Sequence, residues 1–284
     1  MRAFKQHEKY QSKYHIIYTP VPESSTSLNA SRGFEKDNMT YSFSDDISKI
    51  EDLLQNLKSS EAEKLCNSLL EKDNNNSKLW NLLGLALVMQ GKDNEALNAF
   101  KKSIELDPEN GEAWYNYGVT LFEIGQIEEA EKAFKKAISV NDKNASAWYN
   151  LGLLAFIRKN FENAIKAFRK AKELDPQDSD PIFYLAKTYK ELGDLVKAEK
   201  FLREAIKKTP EDIEYWIELG EVLEKANKLK AAENAYRRAA KLDPDNPDLW
   251  YKLAALFEKT GRKKQAAKAL RKAKILASKK LDYG

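Results

Sequence analysis

The chain has 284 residues, 42% hydrophobic and 32% charged, and its 48 basic and 44 acidic side chains give a net charge of +4. No apolar run is long enough to span a membrane, and residues 1–18 lack the uninterrupted apolar stretch that a signal peptide needs. The single cysteine, Cys66, excludes an internal disulfide. This fits a reducing compartment and predicts a cytoplasmic protein.

Residues 1–43 differ in composition from the rest of the chain. They carry Pro20, Pro22 and a polar run, but also aromatic and aliphatic side chains scattered between residues 4 and 21. One interpretation is an irregular or partly disordered N-terminal extension. The other is a segment that docks on a protein surface, because residues 16–22 suit an extended peptide and disordered segments normally contain few such side chains.

Residues 44–76 have the pattern of two short amphipathic helices. Ile50 and Leu54 recur at helical spacing in the first, and Ala62 and Cys66 in the second. Ala62 lies 34 residues before Ala96, which begins the same pattern in the next segment. We interpret this range as a degenerate repeat that caps one end of an array, because a terminal unit needs one polar outer face.

A 34-residue repeat runs through residues 77–280. Each tryptophan is followed three residues later by Leu or Tyr, then by Gly or Ala, and sixteen residues later by Ala. Such a period indicates helix pairs stacked along one dimension. The five tryptophans are Trp80, Trp114, Trp148, Trp216 and Trp250. The six units are 77–110, 111–144, 145–178, 179–212, 213–246 and 247–280, with 281–284 as a short tail.

Within one unit, apolar residues recur at helical spacing in two runs. In the third unit Trp148, Leu151 and Leu154 mark the first helix, and Ala164 and Phe168 mark the second. Glycines at four of the junctions between paired helices predict a left-handed residue that ends the first helix. Prolines at the ends of four units predict where the second helix stops. The sequence therefore predicts an all-α protein.

The repeat resembles the tetratricopeptide repeat. The third unit follows that family's pattern at seven positions: Trp148, Leu151, Gly152, Ala164, Phe168, Ala171 and Pro176. The resemblance extends over residues 77–280. It implies a right-handed α-solenoid, or superhelix, of helix-turn-helix repeats, and a non-catalytic scaffold or adaptor that binds other proteins.

The sequence contains no candidate catalytic, cofactor-binding or metal-binding residues. The two histidines, His7 and His15, lie in the N-terminal extension. No Ser/His/Asp or Cys/His set, metal-ligand spacing or glycine-rich phosphate loop can be placed on the repeat lattice. We therefore predict that the protein is not an enzyme and needs no cofactor.

In the family that the repeat resembles, the first helix of each unit lines a concave groove that receives a partner's peptide or helix. The matching positions run from apolar residues in units two and three to two lysines in unit four, followed by glutamates in unit five. The resemblance implies an apolar ligand segment whose acidic group is held by Lys187 and Lys190. The predicted groove residues are Tyr115, Asn116, Val119, Phe122, Tyr149, Asn150, Leu153, Phe156, Phe183, Lys187 and Lys190.

Two further interpretations of these positions stay open. Some of the aromatic side chains would only pack against neighbouring units, because first helices in such an array are covered on two sides. In addition, the N-terminal extension is itself a candidate ligand. Docking into a neighbouring chain would produce a homo-oligomer, and docking into its own chain would mask the groove.

The last predicted helix is strongly basic. Residues 262–284 contain nine Lys or Arg residues and one acid, for a net charge of +8. One interpretation is a solvated outer face that caps the array. The alternative is a site for an anionic partner, either nucleic acid or an acidic membrane surface. No aromatic side chains are interleaved with the lysines, which argues against nucleic acid. The candidate patch is Lys264, Lys268, Arg271 and Lys272.

Overall fold

The computed structural model describes residues 43–282, and every regular element in that range is an α-helix. Nearly all of the predicted N-terminal extension lies outside this range, and so do the last two residues of the predicted tail. None of the helices within it is both long and apolar enough to cross a bilayer. The chain forms two compact units, unit 1 up to Asp142 and unit 2 from Lys143 onward.

Unit 1 contains three helical hairpins. The second helix of each hairpin packs against the first helix of the next, and the first helices also touch one another. Its core includes Ile50, Leu79 and Phe100, all completely buried. The helices are α1 (Phe43–Gln55), α2 (Ser59–Leu70), α3 (Ser77–Val88), α4 (Asp93–Leu106), α5 (Gly111–Glu123) and α6 (Ile127–Val140).

Unit 2 contains four hairpins that pack in the same manner. Phe168, Leu185, Leu202 and Leu249 belong to one buried cluster that extends through the four hairpins. The helices are α7 (Ala145–Ile157), α8 (Phe161–Leu174), α9 (Asp180–Glu191), α10 (Leu195–Lys208), α11 (Ile213–Lys225), α12 (Leu229–Leu242), α13 (Pro247–Lys259) and α14 (Lys263–Asp282).

Each hairpin turn contains a residue with positive φ, and these residues recur every 34 positions. The prediction of left-handed glycines is confirmed, because the four glycines at this position have φ values between 72° and 82°. Leu57, Lys159 and Asn227 occupy the same position with φ of 57–58°. A left-handed residue ends the first helix and turns the chain back, and glycine adopts it with least strain. The four glycines are Gly91, Gly125, Gly193 and Gly261.

Four of the tryptophans bond the first helix of their hairpin to the turn that precedes it. In Trp80, Trp114, Trp216 and Trp250 the indole Nε1–H donates to the carbonyl oxygen six residues earlier, at 2.8–3.0 Å. The indole rings are only half-buried. A tryptophan with a polar partner at the surface and apolar contacts inward uses both parts of its side chain.

In four hairpins a glycine of the first helix faces an aromatic ring of the second helix. A Cβ on Gly152 would lie 2.5 Å from the ring of Phe168, so the glycine leaves room for that ring. Where leucine replaces the aromatic residue, alanine replaces the glycine. In the first hairpin the larger residue is on the first helix and the smaller one is on the second. In chain order the pairs are Ile50/Cys66, Gly84/Phe100, Gly118/Phe134, Gly152/Phe168, Ala186/Leu202, Gly220/Tyr236 and Ala254/Leu270.

Candidate functional site

The predicted groove residues fall into two sets, one in each unit. All of them lie on first helices of hairpins, on α5 in unit 1 and on α7 and α9 in unit 2. The same type of helix thus carries every predicted contact. Exposure and pairing, however, differ strongly from one residue to the next.

In unit 1, two of the four predicted residues offer little surface to a ligand. Tyr115 and Asn116 are buried, and the Asn116 side-chain amide donates to Asn81 Oδ1 at 3.0 Å. This bond links α5 to α3 through two buried asparagines. Val119 and Phe122 are half-buried and remain partly accessible.

In unit 2, aromatic rings of α7 and α9 form a cluster around Tyr184. The centroid of the Tyr184 ring lies 5.7 Å from that of Tyr149, 6.0 Å from that of Phe156 and 5.6 Å from that of Phe183. Such separations are those of favourable edge-to-face ring pairs. Tyr149, Phe156 and Tyr184 are half-buried, whereas Phe183 is buried against Tyr215. We call Tyr149, Phe156, Phe183 and Tyr184 the aromatic cluster.

The two tyrosines of the aromatic cluster are neutral at physiological pH. Burial raises the pKa of the Tyr149 hydroxyl, and nearby carboxylates such as Asp180 raise it further. Burial also raises the pKa of Tyr184. The cluster therefore presents uncharged aromatic surface together with hydroxyl groups that can exchange hydrogen bonds with a ligand.

Sequence reasoning missed Tyr184, although it lies at the centre of the aromatic cluster. It occupies the repeat position at which the two preceding 34-residue repeats have Asn116 and Asn150. An aromatic residue at a position otherwise held by asparagine was the available signal. The remaining predicted residues of α7 lie beside it: Asn150 donates to the Ser146 carbonyl of its own helix at 2.9 Å, and Leu153 is half-buried.

Charged side chains of α9, α11 and α13 form an ion-pair network. Lys190 Nζ lies 2.7 Å from a carboxylate oxygen of Glu218 and 2.7 Å from one of Glu221. The other oxygen of Glu221 lies 2.7 Å from Lys252 Nζ. The side chains of Lys190 and Glu218 are each only 11% exposed. The network therefore joins three first helices.

The Lys190 ammonium is neutralised inside the protein. Burial disfavours its charged form, but the hydrogen bonds to Glu218 and Glu221 outweigh burial and hold its pKa above the ordinary value. Burial of Glu221 is likewise outweighed by Lys190 and Lys252, which hold the pKa of that carboxyl below its usual range. The charge of Lys190 is therefore compensated inside the protein, and its role as the anchor of an acidic ligand group stays a prediction.

Lys187 also has partners within unit 2. Its Nζ lies 5.1 Å from the centroid of the Phe183 ring and 5.3 Å from that of Tyr184, at cation–π distance. It also lies 3.4 Å from a carboxylate oxygen of Glu214. Both predicted groove lysines thus interact with residues of the same first helix or of a neighbouring one.

The predicted basic patch lies on the exposed side of α14. Lys264, Lys268 and Arg271 are exposed and share one side of the helix because they are spaced four and three residues apart. Lys272 differs, because its Nζ lies 3.8 Å from the ring centroid of Trp250. The opposite side of α14 is buried through three alanines, Ala266, Ala269 and Ala273.

The described part of the chain, residues 43–282, contains no group of three or more His, Cys, Asp or Glu placed to hold a metal ion. The thiol of Cys66 is free and buried, and burial raises its pKa to about 12. A buried thiol of this kind stays protonated and is a poor nucleophile.

Comparison with protein-family profiles gives three matches. The profile of the Cilia and flagella-associated protein 70 C-terminal domain matches residues 55–241. A TPR repeat profile matches residues 225–261, and a tetratricopeptide repeat profile matches residues 247–278. No curated protein matches the chain.

Solved structures similar to the chain are repeat proteins. The C-terminal part of a TPR repeat-containing protein from Cytophaga hutchinsonii has a TM-score of 0.67 at 17% identity, over 81% of this chain and 95% of that one. A chain of the APC/C hetero-tetramer Cut9–Hcn1 has a TM-score of 0.62 at 17% identity, over 84% of this chain. The match spans only 47% of that Cut9–Hcn1 chain.

A third structure, YrrB, is described as a TPR protein with an unusual peptide-binding site. Its TM-score is 0.56 at 22% identity, over 63% of this chain and 93% of that one. At these identities the structural matches show the fold alone, which is the all-helical tetratricopeptide-repeat solenoid. Since the first profile covers more than half of the sequence, the chain belongs to the family of the Cilia and flagella-associated protein 70 C-terminal domain, a family of tetratricopeptide repeats.

Proposed function

We propose that the protein is a non-catalytic scaffold or adaptor that binds a segment of a partner protein on the first-helix face of unit 2. The first-helix face is the side formed by α7, α9, α11 and α13. The membership in a tetratricopeptide-repeat family supports a role in protein interaction. The aromatic cluster supports this particular face, because it places three half-buried rings on adjacent first helices. We retain the sequence-based prediction of a cytoplasmic location.

Partly buried aromatic rings suit a protein ligand. A large apolar side chain of the partner that becomes buried on the aromatic cluster would contribute roughly 1.5–3 kcal/mol. Aromatic residues are also enriched among those that dominate binding energy at interfaces. Leu153 lies about one helical turn before Phe156 on α7 and extends the apolar surface. One or two such ligand side chains would therefore supply part of the binding free energy.

We expect Phe156→Glu to remove the partners that the wild-type chain captures. A carboxylate in the aromatic cluster would have to lose water when an apolar side chain of the ligand covers it. Ile157→Glu is the matched control, because Ile157 is the next residue of α7, is apolar and is 57% exposed. Quantitative affinity capture with mass spectrometry on the full chain compares wild type with the two variants.

Circular dichroism and thermal unfolding of both variants separate a folding defect from a binding defect. Loss of the same proteins in the Ile157→Glu variant would place their contact outside the aromatic cluster. A folded Phe156→Glu variant that keeps every partner contradicts the proposal.

A second candidate function, binding of an anionic partner, rests on the exposed side of α14. Lys264, Lys268 and Arg271 together present three cations to one surface. If they contact three phosphates of duplex DNA, the association constant should fall about 40-fold between 50 and 200 mM salt, because each neutralised phosphate releases counterions. Titration of labelled duplex DNA and of acidic vesicles across this salt range measures the slope.

The charge-reversal variant Lys264→Glu/Lys268→Glu/Arg271→Glu should abolish this binding. Its matched control reverses the charge of three exposed lysines on α10, Lys200, Lys207 and Lys208. Equal losses in both variants would indicate non-specific attraction to net charge. Absence of any binding at 50 mM salt would eliminate this function.

A further inference from the structure

We propose that the ligand of the first-helix face is cationic, and that residues 1–22 of this chain are such a ligand. The inference rests on the proposed function of that face and adds the charge and the source of one ligand. It also reverses the sign expected from the sequence, in which the lysines of α9 would hold an acidic group.

Four lysines of the first-helix face form ion pairs with carboxylates of the same face. Each of four lysines on α9 and α13 lies within 3.4 Å of a glutamate on α11, and the four glutamates of α11 balance the four lysines. The network is therefore neutral as a whole and has no spare cation for an acidic ligand. Its pairs are Lys187–Glu214, Lys190–Glu218, Lys190–Glu221, Lys252–Glu221 and Lys259–Glu224.

The other carboxylates of these helices are Asp180 and Glu191 on α9 and Asp248 and Glu258 on α13. Counted over α7, α9, α11 and α13, eight acids and five bases give a net charge of −3. Asp248 and Glu258 are exposed, and within residues 43–282 they have no cationic partner. Glu214 is 64% exposed, and its lysine is 3.4 Å away. An approaching ligand therefore meets carboxylates.

The chemistry of the face selects a ligand with two properties. The aromatic cluster on α7 and α9 favours large apolar or aromatic side chains, and the open carboxylates of α11 and α13 favour Lys or Arg. Complementary charges at the rim of an interface mainly accelerate association and exclude ligands of the wrong sign. An acidic peptide would be repelled by the same carboxylates.

Residues 1–22 combine both properties. Four bases, Arg2, Lys5, Lys9 and Lys13, stand against the single acid Glu8, for a net charge of +3. The bases recur at intervals of three, four and four residues, a spacing that would place them on one side of a bound helix. Laying a helix into a groove is a common mode of peptide recognition. Between and after the bases come Phe4, Tyr10, Tyr14, Ile16, Ile17 and Tyr18.

Hydrogen exchange of the full-length chain tests the proposal with a charge swap. One variant reverses the segment (Lys5→Glu/Lys9→Glu), one reverses the two exposed carboxylates of α13 (Asp248→Lys/Glu258→Lys), and the third combines both. We expect amides of residues 1–22 to exchange about tenfold more slowly in wild type than in either reversal, because docking protects them. The combined variant should restore the protection, since the charges are complementary again.

The matched control is Lys264→Glu/Lys268→Glu, which makes the same change in net charge on α14 and should leave the protection unchanged. Light scattering at two protein concentrations distinguishes the two geometries of docking. A mass of one chain indicates docking within the molecule, and a mass of two chains indicates docking in a second copy.

Equal exchange of residues 1–22 in wild type and both reversal variants overturns the proposal, and so does loss of protection in the α14 control. The outcome is separable from that of the proposed function. If residues 1–22 are unprotected but Phe156→Glu still removes partners, only the self-docking is wrong. If they are protected but Phe156→Glu keeps every partner, only the partner-binding role is wrong.

Discussion

Replacing Gly152 with alanine should lower the free energy of unfolding by about 1–3 kcal/mol, the usual cost of overpacking a core. Elsewhere inside a helix the same change stabilises a protein by roughly 0.5–1 kcal/mol. The sign reverses here because the new Cβ would lie 2.5 Å from the ring of Phe168, which is completely buried, so the ring would have to shift. Urea unfolding of the variant and the wild type measures the difference.

A second substitution on the partner helix should recover most of that loss. The fourth repeat unit pairs Ala186 with Leu202 at the same two lattice positions, so the chain itself contains the alternative packing. We therefore expect Gly152→Ala/Phe168→Leu to be more stable than Gly152→Ala. The coupling energy should be roughly 0.5–3 kcal/mol, as for residues in direct contact. Strictly additive losses would show that the two positions do not share one space.

Replacing Lys190 with methionine should destabilise unit 2 by about 2 kcal/mol. Removing one partner of a wholly buried ion pair costs roughly 3–5 kcal/mol because the other charge stays behind unpaired. The expected value is smaller here, since Glu221 is 29% exposed and keeps Lys252 as a partner. The unpaired charge is that of Glu218, which is 11% exposed and pairs with Lys190 alone among residues 43–282.

The variant Lys190→Met/Glu218→Gln is the control for this prediction, because it removes the stranded charge together with the lysine. It should recover most of the stability, since replacing a buried ion pair by neutral groups is often nearly neutral. If the double variant is no more stable than Lys190→Met, packing of the lysine side chain rather than its charge is responsible.

The cost of Lys190→Met should also depend on pH in a defined direction. Lys190 and Lys252 hold the pKa of Glu221 below its ordinary value of 4.5. A carboxyl with a depressed pKa in the folded state adds stability above its unfolded pKa, and that stability is lost as the pH falls through the folded pKa. The difference between wild type and variant should therefore shrink below about pH 4. A difference that is constant from pH 7 to pH 3 would contradict this assignment.

The ion-pair network has a consequence for the proposed binding role. Lys190 and Glu221 tie α9, α11 and α13 to one another, which fixes the spacing of three first helices before any ligand arrives. A surface that is already ordered loses less conformational entropy on binding. The network therefore favours recognition by the face as a preformed surface.

The sequence determined the helices and their turns because both depend on local geometry. Apolar residues at helical spacing mark the helices in any environment. A glycine such as Gly91 marks a turn because a positive φ is least strained without a Cβ. Only the structure shows that Gly152 lies against Phe168, where a Cβ and the ring would compete for one space.

The tertiary structure alone decided which first-helix residues a ligand can reach. Tyr115 and Phe183 are buried, whereas Tyr149 is half-buried, although the three lie at equivalent positions 34 residues apart. Periodicity places a residue on a side of its helix. How much of that side the next helix covers depends on packing between segments that are far apart in sequence.

The pairing of charges on the first-helix face likewise could not be predicted from the sequence. Lys190 precedes Glu218 by 28 residues and Glu221 by 31, so the chain reads as a basic stretch followed by an acidic one. Packing α9 beside α11 brings these groups to 2.7 Å and cancels them. Coulomb energy depends on separation in space and on burial, and neither quantity is fixed until the helices have packed.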